Sequence, residues 1–146
     1  MTRRVDFMLG GEDFSTMTAG HVMQSEVFYF SEDTPVIDLL SAITMGGFGS
    51  VPITTAGDVV VGIVSEYDIL NAIQAGKDLN TVTAKEVMTK TPVAVPEEMS
   101  AKEIIAILQS KHLIRVPVVD KNGVLIGIVA RRDILMGYLR SVESPP

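Results

Sequence analysis

The sequence contains no cysteine and no tryptophan. The missing thiols exclude a disulfide framework, thiolate metal sites and a cysteine nucleophile together. Only two histidines occur, His21 and His112, and neither has a nucleophile partner or metal-ligand spacing beside it. Without such a constellation the chain is not expected to be an enzyme. No apolar run approaches the roughly 20 residues that a membrane-spanning helix needs, so no membrane partner is expected. Basic residues are scarce in the first half: residues 1–80 hold three against eleven acidic ones, a balance of −8. Residues 81–146 hold nine against seven, a balance of +2. A nucleic-acid backbone binder carries a basic face, so DNA and RNA are not expected partners, and a small anion suits the second half better. Arg3-Arg4 is followed by Gly10-Gly11-Glu12-Asp13 and not by an apolar stretch. A twin-arginine export signal is therefore rejected, and the cytoplasm is the expected compartment.

The chain has 146 residues, enough for one domain or two small halves sharing a core. Folding at that length buries roughly 68–70% of the unfolded chain's surface, so no metal or disulfide is needed as a staple. The apolar fraction is 47% and the mean hydropathy +0.32, high for a small soluble monomer. An apolar face reserved for a partner accounts for that surplus. The eight methionines are scattered and read as packing filler, not as a metal site.

An internal repeat dominates the sequence. Shifted by 65 residues, Thr16–Leu70 aligns without a gap on Thr81–Leu135. Val22-Met23 falls on Val87-Met88, and Val51-Pro52 on Val116-Pro117. Gly62-Ile63-Val64 falls on Gly127-Ile128-Val129, and Asp68-Ile69-Leu70 on Asp133-Ile134-Leu135. Thr83-Ala84-Lys85-Glu86 forms a capping-box pattern that opens a short helical turn ending near Met88. Val93-Ala94-Val95, between Pro92 and Pro96, reads as a short edge strand. Ser100-Ala101-Lys102-Glu103 is a second capping box, after which Ala101, Ile104, Ile105 and Leu108 line one helix face. The first unit places Val36, Leu39, Leu40 and Ile43 there, with Thr34 as N-cap and Pro35 at the first helical position. A hairpin follows: Val116–Val119, an Asn122-Gly123 turn, then Val124–Val129, with Gly57-Asp58 a poorer turn in the first unit. Closing helices run from about Asp133 to Leu139 and from about Asp68 to Ile73.

The predicted fold class is therefore α+β: two βαββα units related by a pseudo-twofold axis and packed through their small sheets. A three-stranded sheet with two helices is marginal alone, which is why pairing is expected. The expected division is an N-terminal extension over 1–14, units over 15–74 and 81–140, a linker over 75–80 and a tail over 141–146. The two ends are expected to be loosely held.

These blocks resemble the cystathionine β-synthase (CBS) domain in order, spacing and duplication over about residues 16–140. The resemblance implies a stand-alone CBS pair that assembles as a homodimer through its helices. It further implies that adenine nucleotides (AMP, ADP or ATP) or other adenosyl compounds bind in clefts between the units. The role implied is to regulate a separate protein, whose identity the sequence does not indicate. No cofactor is expected; the nucleotide, with or without Mg2+, is a ligand.

The family's nucleotide signature matches the first unit as Gly62-Ile63-Val64-Ser65-Glu66-Tyr67-Asp68. By resemblance, Asp68 accepts hydrogen bonds from the ribose hydroxyls and Ser65 touches ribose or phosphate. An ionised carboxylate suits two hydroxyl donors, and a helix start offers N–H groups to an anion. Ser65-x-x-Asp68 is equally a capping box, and the two roles are compatible. In the second unit the signature reads Gly127-Ile128-Val129-Ala130-Arg131-Arg132-Asp133. Asp133 keeps the carboxylate while Ala130 loses the hydroxyl. Arg131 and Arg132 provide forked donors for phosphate, placed at a helix start where positive charge is otherwise unfavourable.

Phosphate is therefore expected nearest Arg131 and Arg132, with adenine against backbone such as Val93-Ala94-Val95. Arg115 is a further phosphate candidate or an exposed residue without function, and Pro117 on the following strand joins the nucleotide-binding set. His112 is either a ligand contact or a C-terminal histidine facing the helix dipole. His21 is structural or exposed. A phosphate-free ligand such as S-adenosylmethionine would favour Ser65 and Asp68 and tolerate Glu66. A third possibility, prompted by Ala130, is a ligand-free interaction module.

Overall fold

The computed structural model describes residues 13–143. In chain order its elements are α1 (Ala19–Val22), β1 (Phe30–Ser31), α2 (Val36–Gly46), β2 (Ser50–Thr54), β3 (Val60–Ser65), α3 (Glu66–Gln74) and α4 (Ala84–Val87). Then come β4 (Thr89–Lys90), β5 (Val95–Pro96), α5 (Ala101–Ser110), β6 (Arg115–Val119), β7 (Leu125–Ala130) and α6 (Arg131–Val142). One sheet has the order β1-β2-β3-β4 and the other β5-β6-β7. This is an α+β fold with two small sheets.

The compact units are interleaved along the chain. Within the described residues, one comprises 26–93 and 119–125; the other comprises 13–25, 94–118 and 126–143. For brevity they are called the Asp68 unit and the Asp133 unit. Each is built mainly from one repeat and takes an arm from the other. In the Asp68 unit the arm is the stretch from Leu79 to Lys90. Val82 O accepts from Val36 N–H at 2.8 Å, Ala84 N–H donates to Thr34 O at 2.8 Å, and Lys85 N–H donates to Glu32 O at 2.9 Å. The same three bonds recur in the Asp133 unit with every number shifted by 65. Ala101 N–H donates to Met17 O at 2.9 Å, Ala19 N–H to Met99 O at 2.8 Å, and Gly20 N–H to Glu97 O at 2.8 Å. Helix starts that would otherwise leave orphan N–H groups are thereby satisfied by backbone carbonyls of the other repeat.

This exchange explains two sequence signatures at once. A Cβ on Gly62 would sit 2.3 Å from Met88 Sδ, and one on Gly127 would sit 2.5 Å from Met23 Sδ. The methionine of each Val-Met pair thus packs on the glycine-led strand of the other repeat. The Asp68 unit buries Val36, Leu39, Ile43, Val51, Ile53, Val64, Ile69, Val82, Ala84 and Met88 as one cluster. Complete burial of a side chain such as Leu39 is worth about 1.5–3 kcal/mol. Met17, Val95, Ile104, Val116, Val118, Val129 and Ile134 are buried in the Asp133 unit.

Several local expectations are corrected. Helix α2 is not capped by Thr34: Pro35 is its N-cap, in extended geometry and bridged to Thr83, so the helix begins one residue later. Thr83 gives α4 no side-chain cap bond to backbone. Val93 and Ala94 are not strand; only Val95–Pro96 is, because Thr91 has φ 52° and turns the chain first. The first sheet has a fourth strand, since β4 pairs with β3 (Gly62 with Lys90, Ile63 with Thr89). Gly57 and Asp58 form a 3-10 turn, both with positive φ. The closing helices are longer than expected, Glu66–Gln74 and Arg131–Val142. Residues 1–12 and 144–146 lie outside the described residues, but Phe14 is not loosely held: its ring meets Tyr138 edge-on at 5.3 Å.

Candidate functional site

At each repeat a glycine-led strand runs into a helix start, and a carboxylate sits at the third helical position. In the Asp68 unit, Ser65 is the N-cap of α3, with its hydroxyl accepting from Asp68 N–H at 3.2 Å. Asp68 Oδ2 accepts in return from Ser65 N–H at 2.9 Å and from its hydroxyl at 3.1 Å. The capping reading of Ser65-x-x-Asp68 is therefore correct as local structure. The box uses Oδ2 alone, and no cation from β2 joins it, because the position matching Arg115 is the buried Ser50.

In the Asp133 unit, Ala130 is the N-cap of α6 and makes no side-chain bond. Asp133 Oδ2 still accepts from Ala130 N–H at 2.8 Å. Its Oδ1 accepts from Gln24 Nε2 at 2.9 Å. Arg115, at the start of β6, is half-buried and not an exposed residue. Burial pulls its guanidinium pKa down, and the Asp133 carboxylate opposes that shift by favouring the cation. Arginine remains charged at neutral pH, and the Asp133 carboxylate favours that charge.

The other predicted residues divide. Arg132 is exposed on the first turn of α6. Arg131 donates its N–H to Ile114 O at 2.9 Å and, with His112, lines an apolar groove of about 700 Å³ that also includes Ile105, Leu108 and Leu135. His112 follows α5 with φ 53°, where the first repeat has Gly47 at φ 73°. Val95 and Pro117 are buried and Ala94 is exposed, all three in the Asp133 unit, whereas Val93 belongs to the Asp68 unit. His21 is structural as well as exposed: its Nδ1 accepts from Thr18 N–H at 3.0 Å and caps α1. A second cavity of about 700 Å³ in the Asp68 unit, lined by Tyr29, Ser31, Glu32, Asp33, Asp58 and Lys85 among others, contains none of the predicted site residues. Among the described residues no cluster of His, Asp or Glu could hold a metal, and no helix is long and apolar enough to cross a membrane.

Sequence reasoning missed Gln24. Its only signal was its place in the repeat, one residue after Val22-Met23, where the second copy has Thr89.

The CBS domain family model matches residues 19–75 and 84–140. The chain belongs to the CBS domain family. Among curated relatives, this CBS pair is 31% identical over 121 residues to an uncharacterised protein of Methanopyrus kandleri, covering 82% of this chain and 62% of that one. It is 30% identical over 117 residues to the inosine-5'-monophosphate dehydrogenase of Methanocaldococcus jannaschii, covering 80% of this chain and 23% of the enzyme. The CBS pair thus spans less than two thirds of either relative. Among solved structures, CBSX2 in complex with AMP superimposes with a TM-score of 0.75 at 26% identity, over 85% of this chain and 97% of that one. CBSX2 of Arabidopsis thaliana gives 0.76 at 25%, over 85% and 95%. The CBS pair of MJ0100, in complex with 5'-methylthioadenosine and S-adenosyl-L-methionine, gives 0.75 at 20% over 83% and 94%, a likeness of fold alone.

Proposed function

We propose that this CBS pair is a non-catalytic, cytoplasmic regulatory module that binds an adenine nucleotide. The observation that carries this reading is the Asp133 carboxylate at the start of α6, preceded in sequence by Arg131 and Arg132, in the same unit as the half-buried Arg115 whose charge it favours. A carboxylate accepts the paired hydroxyls of a ribose, and guanidinium groups receive phosphate through forked donors. The likeness to CBSX2, solved with AMP, supports the same ligand class. Val93, Ala94, Val95, His112 and Pro117 remain proposed nucleotide contacts; the buried Val95 and Pro117 would contribute backbone and not side-chain surface. Mg2+ would accompany a polyphosphate ligand.

Ligand at a hundred times its Kd adds about 2.7 kcal/mol to stability, so a thermal-shift panel tests the reading directly. AMP, ADP or ATP should raise Tm, and Asp133→Ala or Arg132→Ala should abolish the shift. Silence toward every adenosyl compound would replace this reading with a ligand-free interaction module.

A second reading has its own observation. Ser50 stands where the other half-site has Arg115, and Glu66 precedes Asp68 by two residues, so this half-site favours a phosphate-free adenosyl ligand such as S-adenosylmethionine. Assembly as a homodimer is part of the proposal. Each unit leaves apolar side chains exposed on its closing helix: Leu70 is 62% exposed on α3, and Leu135 is 68% exposed on α6. Light scattering that reports only monomer would remove the dimer.

A further inference from the structure

The two ribose-type carboxylates are not equally available. Asp133 Oδ1 is engaged by the Gln24 side-chain amide at 2.9 Å, while Oδ2 is engaged by Ala130 N–H. Asp68 uses Oδ2 alone for its capping box, and among the described residues no hydrogen bond reaches its Oδ1. The difference arises from one pair of equivalent positions. Gln24 is anchored by two backbone bonds with Ile128, each 2.9 Å, and its long side chain spans from there to the start of α6. Thr89 pairs with Ile63 in the same register, but its short side chain makes no such reach to Asp68. An amide N–H donated to a carboxylate oxygen has the chemistry of a sugar hydroxyl donated to it.

We infer that Gln24 is a built-in competitor for the sugar hydroxyls of an adenosyl ligand at Asp133, a specificity-determining gate that the Asp68 half-site lacks. This rests on the adenosyl-binding reading above. Gln24 is exposed, so its amide can swing into water when a ligand hydroxyl replaces it. The displaced bond is charge-assisted on one side and solvated on the other, which makes the gate a modest penalty and not a block. Its effect is to bias a phosphate-free adenosyl ligand toward the Asp68 half-site. A diol-bearing ligand binds at Asp133 only when phosphate attraction to the arginines, or a high concentration, overcomes the amide.

The test uses the full chain with Asp68→Asn, which preserves the shape of the capping carboxylate and isolates the Asp133 half-site. AMP binding is measured by calorimetry for this background alone and with Gln24→Thr or Gln24→Asn. Threonine is the residue of the other repeat, and asparagine is an amide too short to reach. Both variants should tighten AMP binding about three- to tenfold, the range expected for one net hydrogen bond. In the isotope-labelled background protein the Gln24 side-chain amide signals should move on AMP addition. Unchanged or weaker AMP binding in both variants overturns the gate while leaving the nucleotide reading in place. Absence of AMP and S-adenosylmethionine binding in every variant and in the unmodified protein overturns both.

Discussion

The Asp68 and Asp133 units share a backbone plan but satisfy the start of the closing helix differently. In the first, a serine hydroxyl and a carboxylate cap each other, and Ser50 stands where the second unit has Arg115. In the second, the hydroxyl is gone, the carboxylate is shared between a backbone N–H and Gln24, and Arg115 supplies the opposing charge. Duplication conserved the geometry that the chain needs to fold and left the exposed chemistry free to diverge. The same helix start is thus closed by a hydroxyl and carboxylate in one repeat and by a backbone N–H and a glutamine amide in the other.

The largest effects should come from the glycines that both units use. A Cβ at Gly127 would lie 2.9 Å from Gln24 O as well as close to Met23 Sδ, and one at Gly62 would lie 3.1 Å from Thr89 O. Backbone cannot yield as a thioether can, so Gly127→Ala should cost more than Gly62→Ala, both within about 1–3 kcal/mol by chemical denaturation. Met23→Ala should recover part of the loss in Gly127→Ala. Equal costs would remove the ranking by backbone approach, and no cost at either glycine would mean that arm packing does not stabilise the units.

The helix starts come next. Ser65→Ala makes the first repeat resemble the second and should cost about 1 kcal/mol, whereas Ala130→Ser should gain up to a similar amount. Exchange of both residues at once should leave stability nearly unchanged, read from the urea midpoint.

Two left-handed residues sharpen the comparison at a smaller scale. His112 and Asp58 have φ 53° and 63°, where the opposite repeat has Gly47 and Gly123. His112→Gly and Asp58→Gly should each stabilise by about 0.5–1 kcal/mol as backbone strain is relieved, measured as a rise in Tm.

The smallest effect concerns acid. The Asp13 carboxyl is held below its ordinary value chiefly by the Ser15 hydroxyl. A lowered folded-state pKa means that its contribution is present above the unfolded value and is lost as pH falls through the folded one. Ser15→Ala should move the Asp13 titration, followed by NMR, back toward the ordinary carboxylate range.

Much of this architecture was legible because the signals are local. The Ser100 and Ser65 boxes, the apolar stripe from Ala101 to Leu108 and the Asn122-Gly123 turn all act within a few residues of themselves. Where a helix start was satisfied from afar, local reading failed. Thr34 looked like the cap of α2, but carbonyls of Val82 and Leu79 accept from its first N–H groups. β4 was invisible because Thr89–Lys90 is too short to show a period and forms only by pairing with β3. Of the candidate site, the two aspartates, the cap and the arginines were legible in the repeat. Burial of Arg115, its coupling to Asp133, the position of His112 beside Arg131 and the reach of Gln24 depend on pairings between distant segments.

Composition, period and capping chemistry are properties of neighbouring residues, so the amino-acid order alone determined the duplication, the α+β class and the carboxylate at each helix start. Which repeat lends its arm to which core, and which carboxylate oxygen is already occupied, required the tertiary structure. Hydrogen bonds such as that from Gln24 to Asp133 join residues 109 positions apart. No local pattern encodes their meeting, because burial and backbone pairing across the whole fold bring them together.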